Sequence, residues 1–322
     1  MKTKSIFYSL SALLLVGTLS FTSCKKKKAF KNEDGQSSED NRTMQTENDA
    51  ALSDINDVMA SSSLKGKGAN SYDAKGVTGN VCGASLDSAN VGNGVIQINF
   101  NGTTCNNRTR TGSVRLTLLG WPSVKWKDAG AVTRIEFLNY KVTRASDGKF
   151  IELNGAQKYK NVSGTTWWDL LFTQAHSSIV SEVVEDGGIT ASFDDGKTAT
   201  YYINRRITYS WLSGLRFQCV AEGIGSSDGI SSLENYGKTR EGDSFTSQVT
   251  TPITWNTDCG WWAPVAGAVT IKVAEKEFEL KCTFAVDQSG NPVEVAPNTC
   301  AYGWKVEWKH KKKTKNKIFG YK

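Results

Sequence analysis

From about residue 77 to residue 308, apolar residues recur at every second position. That period commits the segment to extended strands with one apolar face and one wet face. Cys82, Ala84 and Leu86 alternate with polar neighbours, as do Ile96, Ile98 and Phe100, then Val114, Leu116 and Leu118. Tyr201, Ile203, Ile207, Tyr209 and Trp211 hold one parity. So do Val269, Ile271 and Val273, then Phe278, Leu280, Cys282 and Phe284, and finally Trp304, Val306 and Trp308. One-sided strands of this kind belong to antiparallel sheets. Between 131 and 142 the parity switches, with Ile135 and Phe137 facing one way and Leu138, Tyr140 and Val142 the other, which predicts a bulge. Asn101-Gly102, Asp147-Gly148, Asn154-Gly155, Asp186-Gly187, Asp195-Gly196 and Asp228-Gly229 place residues that tolerate positive φ where tight hairpins need them. Only five prolines interrupt the chain, which suits long strands. The expected body, residues 77–308, is all-β: an antiparallel meander forming a sandwich or open barrel.

One amphipathic helix should precede it. Thr46-Glu47-Asn48-Asp49 has capping-box spacing with Asp in place of Glu, and Ala51, Leu52, Ile55, Val58 and Met59 recur at helical intervals, giving a helix over 46–64. Residues 24–45 are rich in Lys, Asn, Glu, Asp, Gln and Ser, and read as a flexible tether. Upstream, Lys2 and Lys4 lead into a short apolar run, Ile6 to Leu19, and Ser20-Phe21-Thr22-Ser23 leads into Cys24, followed at once by Lys25 to Lys28. The run is too short to span a bilayer and has the organisation of an export signal. It resembles a bacterial lipoprotein signal, which implies that residues 1–23 are removed and Cys24 is acylated. The expected localisation is the cell envelope, lipid-anchored, with the outer membrane as the implied site.

The formal charge of +7 is misleading as a guide to partners, because it is carried by the ends of the chain. Residues 29–304 hold 25 basic and 31 acidic groups, so the body is mildly acidic, and no nucleic-acid partner is expected. The lysine-rich end, 309–322, reads as a solvated basic tail, with attraction to an anionic envelope polymer or membrane phosphate as its sharper alternative.

Seven cysteines in an exported chain leave six after lipidation of Cys24. Cys82 and Cys105 flank one predicted hairpin, and Cys259 and Cys300 bracket a second hairpin pair, which makes these the expected disulfides. By chain entropy they are worth about 3.5 and about 4 kcal/mol. Cys219 is in phase with Leu215 and Phe217, and Cys282 with Leu280 and Phe284, so both point inward. Of the two outcomes for them, a bond across neighbouring strands is favoured over two buried thiols. No Cys-x-x-Cys occurs and His176 and His310 are the only histidines, so no metal or other cofactor is expected. Thr104-Cys105 with Gly112 to Leu116, and Thr299-Cys300 with Gly303 to Trp308, form a loose echo between the two halves.

Val95 to Gly102, Cys105, Arg108, Arg110 and Gly112 to Leu116 form a pattern that resembles uncharacterised exported lipoproteins of Bacteroidota type. Glu152 to Gly155 with Lys160 to Gly164, and Cys259-Gly260-Trp261 with Pro264 to Gly267, are similar to later parts of the same pattern. The resemblance implies fold and location and carries no reaction. The Cys219 and Cys282 pair and the lysine-rich end depart from it.

Catalytic signals are weak. There is no Gly-x-Ser-x-Gly, and His176 is nearly the only base that could serve a nucleophile. Glu182, Glu185, Asp186, Asp194 and Asp195 cluster in sequence but sit among Asp-Gly turns, so turn formation explains them better than a glycosidase pair. The unusual signal is aromatic: Trp167-Trp168 and Trp261-Trp262 place one indole of each pair away from the core if these segments are extended. An exposed indole stacks on a sugar ring, although wide β cores are also filled with Trp. The expectation is a non-enzymatic, envelope-anchored structural or binding component. A glycan-binding or glycan-hydrolysing surface protein, with Trp167, Trp168, Trp261 and Trp262 as candidate ligand contacts and a polysaccharide as candidate partner, is the alternative.

Overall fold

The structure, a computed structural model, describes residues 33–61, 81–165, 170, 177–212, 216–260, 263–297, 299–310 and 313–321. It holds one long helix, α1 (Glu33–Ser61), ahead of sixteen strands. These are β1 (Ala84–Asp87), β2 (Val95–Cys105), β3 (Arg108–Leu118), β4 (Ala131–Arg144), β5 (Phe150–Asn161), β6 (Ser178–Phe193), β7 (Thr198–Ile203) and β8 (Arg205–Trp211). They continue with β9 (Phe217–Gly223), β10 (Gly225–Ser227), β11 (Ile230–Lys238), β12 (Ser244–Asn256), β13 (Ala266–Val273), β14 (Phe278–Val286), β15 (Gly303–His310) and β16 (Lys313–Gly320).

All belong to one antiparallel sheet in which chain neighbours are nearly always sheet neighbours. The apparent branch between β6 and β12 has a simple origin. β7 and β8 run end to end along β6, with Ile189↔Tyr201 on one side of the break and Val183↔Arg205 on the other. β9 and β11 fill the next slot in the same manner, β9 beside β8 and β11 beside β7, and β10 is the hairpin excursion between them. The expected all-β meander with one preceding helix is therefore the architecture. The two echoing cysteine segments lie within one continuous sheet rather than in separate bodies.

α1 is the pillar of the core. Met44, Leu52, Ile55, Val58 and Met59 share one apolar cluster with inward residues from β2 through β7, and also with Phe245 of β12, Val273 of β13 and Phe278 of β14. A helix is about 10–12 Å wide with its side chains, and strands lie about 4.8 Å apart, so a flat sheet could not present that many strands to it. The sheet curls around α1. The helix also starts 13 residues earlier than its apolar stripe predicts, so Glu33 to Gln45 belongs to α1 and not to a flexible tether. The reason is that this earlier stretch buries polar groups: Ser37, Asp40 and Asn41 are all buried.

The parity switch in β4 is a bulge at Leu138 and Asn139, where the register steps from Phe137↔Gly155 to Tyr140↔Leu153. Asn139 has φ +51°. Across the sheet, a Cβ on Gly112 would lie 2.0 Å from the Asn139 carbonyl oxygen, so only glycine fits there. The Asx-Gly pairs divide by role. Asp147-Gly148, Asp195-Gly196 and Asp228-Gly229 turn hairpins, whereas Asn101-Gly102, Asn154-Gly155 and Asp186-Gly187 lie inside β2, β5 and β6 at or opposite register shifts. Positive φ serves a bulge as well as a turn.

The lysine-rich end is not a solvated tail. Residues 313–320 form β16, paired along its whole length with β15 from Gly303↔Gly320 to His310↔Lys313. Alternation is hidden there because β16 is an outer strand and most of its side chains are exposed. Two disulfides staple the sheet, Cys82–Cys105 across the β1–β2 end and Cys259–Cys300 between the loops before β13 and β15. They indicate an oxidising, extracytoplasmic environment. No helix among the described residues is long and apolar enough to cross a membrane.

Candidate functional site

The interior is built by charges that α1 carries into the sheet. Asp49 pairs with Arg205 of β8, and Asp54 with Arg110 of β3. Gln45 donates to Glu234 of β11, which also accepts from Ser247 Oγ at 3.2 Å. Asn56 Nδ2 donates to Tyr159 Oη at 2.7 Å, and Gln157 Nε2 donates to Asn48 Oδ1 at 2.7 Å. Burial pushes the carboxyls of Asp49, Asp54 and Glu234 above their ordinary values, with Arg205 and Arg110 opposing it. For Arg205 burial acts the other way, yet Asp49 and Glu234 hold its guanidinium firmly charged. The cavity beside this array, between Leu52, Asn56, Tyr209, Cys219 and Trp255, measures about 50 Å³. That is space for one or two waters, not for an organic ligand.

Cys219 faces that cavity and Cys282 sits three strands further along, on β14. Three strand spacings separate them, about 14 Å, far beyond disulfide reach. The favoured Cys219–Cys282 bond is thus not made, and both remain thiols. Burial pushes each thiol up to about 12. At neutral pH neither is a nucleophile.

A larger groove, about 310 Å³, opens where the N-terminal half of α1 meets one end of the sheet. The β3–β4 register sets Arg108, the first residue of β3, directly opposite Arg144, the last of β4. Lys149 and Phe150 follow across the β4–β5 turn, and Phe193 and Asp194 come from the end of β6. The helix supplies Glu39, Asp40, Arg42, Thr43, Thr46 and Glu47. Arg240 closes the far wall: its Nε and Nη2 each donate to Asp40 at 2.6 Å, its Nη1 lies 3.0 Å from Asp195, and its guanidinium sits 3.6 Å over the Phe193 ring.

The near wall is less completely matched. Arg108 Nε is 3.4 Å from Glu47 Oε1, and Arg144 Nε donates to Asp147 at 2.9 Å. Glu47 is only 6% exposed, and its Oε2 has no hydrogen-bond partner. Burial raises the Glu47 pKa, against Arg108, Arg110 and Arg144. Burial lowers that of Arg42, with Glu39 opposing and Arg144 adding to the shift. Such a wall can grip an anion and accept a hydrogen bond. Among the described residues no set of three or more His, Cys, Asp or Glu side chains is placed to hold a metal ion.

Cys24, Trp167, Trp168, Trp261, Trp262 and His176 lie outside the described residues. Cys82, Cys105, Cys259 and Cys300 are brought together in the two expected pairs. Sequence reasoning missed the groove, because Arg108 and Arg144 are neighbours only through the β3–β4 register. Of the tryptophans the structure describes, Trp126 is buried and packs 5.4 Å from Tyr159, and Trp211 donates from Nε1 to the Leu170 carbonyl at 2.9 Å. No protein-family model, no curated protein and no solved structure matches the chain.

Proposed function

We propose that this protein is an exported component of the cell envelope, anchored through lipid on Cys24, that binds a small ligand or polymer end in the groove between α1 and β3–β6 and catalyses no reaction. The observation that carries this reading is that the cavity beside the Asp49–Arg205 pair offers only about 50 Å³, while the groove offers about 310 Å³. That volume is at the lower end of ligand sites. The signal-like residues 1–23, the small residues before Cys24 and the resemblance to exported Bacteroidota lipoproteins support the anchor, and the disulfides support export. The groove adjoins the N-terminal half of α1, which begins nine residues after Cys24. Binding is favoured over glycan hydrolysis because the two buried carboxylates of the groove, Asp40 and Glu47, are each committed to an arginine.

The test is affinity electrophoresis of the full chain through gels that carry a panel of acidic and neutral polysaccharides. Retardation by at least one polymer, abolished by Thr46→Trp, which fills the groove, is the expected result. Free migration in every gel, or retardation indifferent to Thr46→Trp, overturns the assignment of the groove. For the anchor, Cys24→Ser should release the protein from washed membranes.

A further inference from the structure

Like charges directly opposite on paired strands repel, and a sheet tolerates them where something of opposite sign is supplied. Arg108 and Arg144 stand in that relation at the groove wall, and Lys149 extends the row across the β4–β5 turn. The protein supplies only part of the compensation. Glu47 meets Arg108 with one oxygen, and Asp147 meets Arg144, whose side chain is still 43% exposed. What would complete this wall carries an anionic group for the arginines. Its size must suit about 310 Å³, and the half-buried Phe150 along the groove offers an apolar face for the C–H face of a ring.

Resting on the groove reading above, we infer that the ligand is an acidic sugar residue, whose carboxylate bridges Arg108 and Arg144. The bidentate geometry of guanidinium favours a planar carboxylate at such a site. Because the contact is between charges at a partly open surface, it weakens with added salt.

Isothermal titration calorimetry of the full chain with trigalacturonate, maltotriose and inorganic phosphate decides the matter. Trigalacturonate should bind, maltotriose should not, and phosphate should compete only weakly. Arg144→Gln should weaken trigalacturonate about tenfold. Lys149→Gln should weaken it in the same direction, and Lys272→Gln on the opposite face of the sheet should leave it unchanged. Arg144 is exposed enough for its variant to fold, and an unaltered thermal midpoint confirms that. Equal affinity for trigalacturonate and maltotriose would overturn the acidic preference while leaving groove binding in place. Binding that ignores Arg144→Gln would move the site elsewhere, phosphate as strong as trigalacturonate would reduce it to a simple anion site, and binding of neither sugar would end the inference.

Discussion

At the scale of single residues, the molecule depends on charges that most cores exclude. Asp49 is aimed from α1 at Arg205, whose side chain is 10% exposed, and Glu234 stands behind it. Removing one partner of such a pair strands the other in a medium that solvates it poorly. Asp49→Asn should therefore lower unfolding free energy by about 3 kcal/mol, read from urea midpoints at constant slope. A change below 1 kcal/mol would mean that water reaches Arg205. The same groups set an uncommon response to pH. The folded pKa values of Asp40, Glu47, Asp49, Asp54 and Glu234 are all raised by burial, so the folded chain takes up their protons more readily than the unfolded one. Their contribution to stability is fully present below the unfolded carboxylate pKa and is lost as pH rises through the folded values. Asp186 has the opposite sign, held below its ordinary value by Lys158 and Arg134, so its share is lost on acidification. The expected urea midpoint at pH 5 is at least equal to that at pH 7, with a fall only at still lower pH. A steady fall from pH 7 to 5 would contradict it.

At the scale of elements, legibility followed how each segment meets water. Strands with one dry face, such as β3 with Val114, Leu116 and Leu118 or β14 with Phe278 and Phe284, can be read from period alone. The first thirteen residues of α1 could not, because Asp40 is buried through its ion pair with Arg240 and a hydrogen bond from Gln36, which have no hydropathy signature. β16 failed for the opposite reason. Lys313, Lys315 and Lys317 share its inward parity through their partners His310, Trp308 and Val306, so polar residues occupy positions that an inner strand would give to apolar ones. Lysine on an outer strand discourages pairing with another chain. The groove was illegible on both counts, since its arginines belong to separate strands and its acids to the helix. Loss of residues 313–322 should therefore leave β15, with Trp304 and Trp308 half-buried, as the new edge. Size-exclusion chromatography of that truncation should show soluble aggregate where the full chain runs as one species. An unchanged elution profile would show that β16 is dispensable as a guard.

At the scale of the whole molecule, a curled meander around one helix must hold two edge strands, β1 and β16, that no pairing among the described residues joins, and the two disulfides sit where that need is greatest. Cys82–Cys105 fastens the short strand β1 at one edge, and Cys259–Cys300 ties the loop after β12 to the approach of β15 near the other. Between them Cys219 and Cys282 stay apart, three strand spacings from each other, with their thiols pushed up to about 12. This distribution makes a count that separates the architecture from any alternative pairing. In the chain truncated to Lys25–Lys322 and produced by export, a maleimide should label no cysteine while the protein is folded, because neither thiol ionises near neutral pH. Unfolding in guanidinium without reductant should expose two labels, on Cys219 and Cys282, and prior reduction should raise the total to six. Zero labels after unfolding would mean that a third disulfide joins β9 to β14, which the sheet order forbids. Six labels without reductant would mean that the body never passed through an oxidising compartment, and the case for an envelope protein would fall with it.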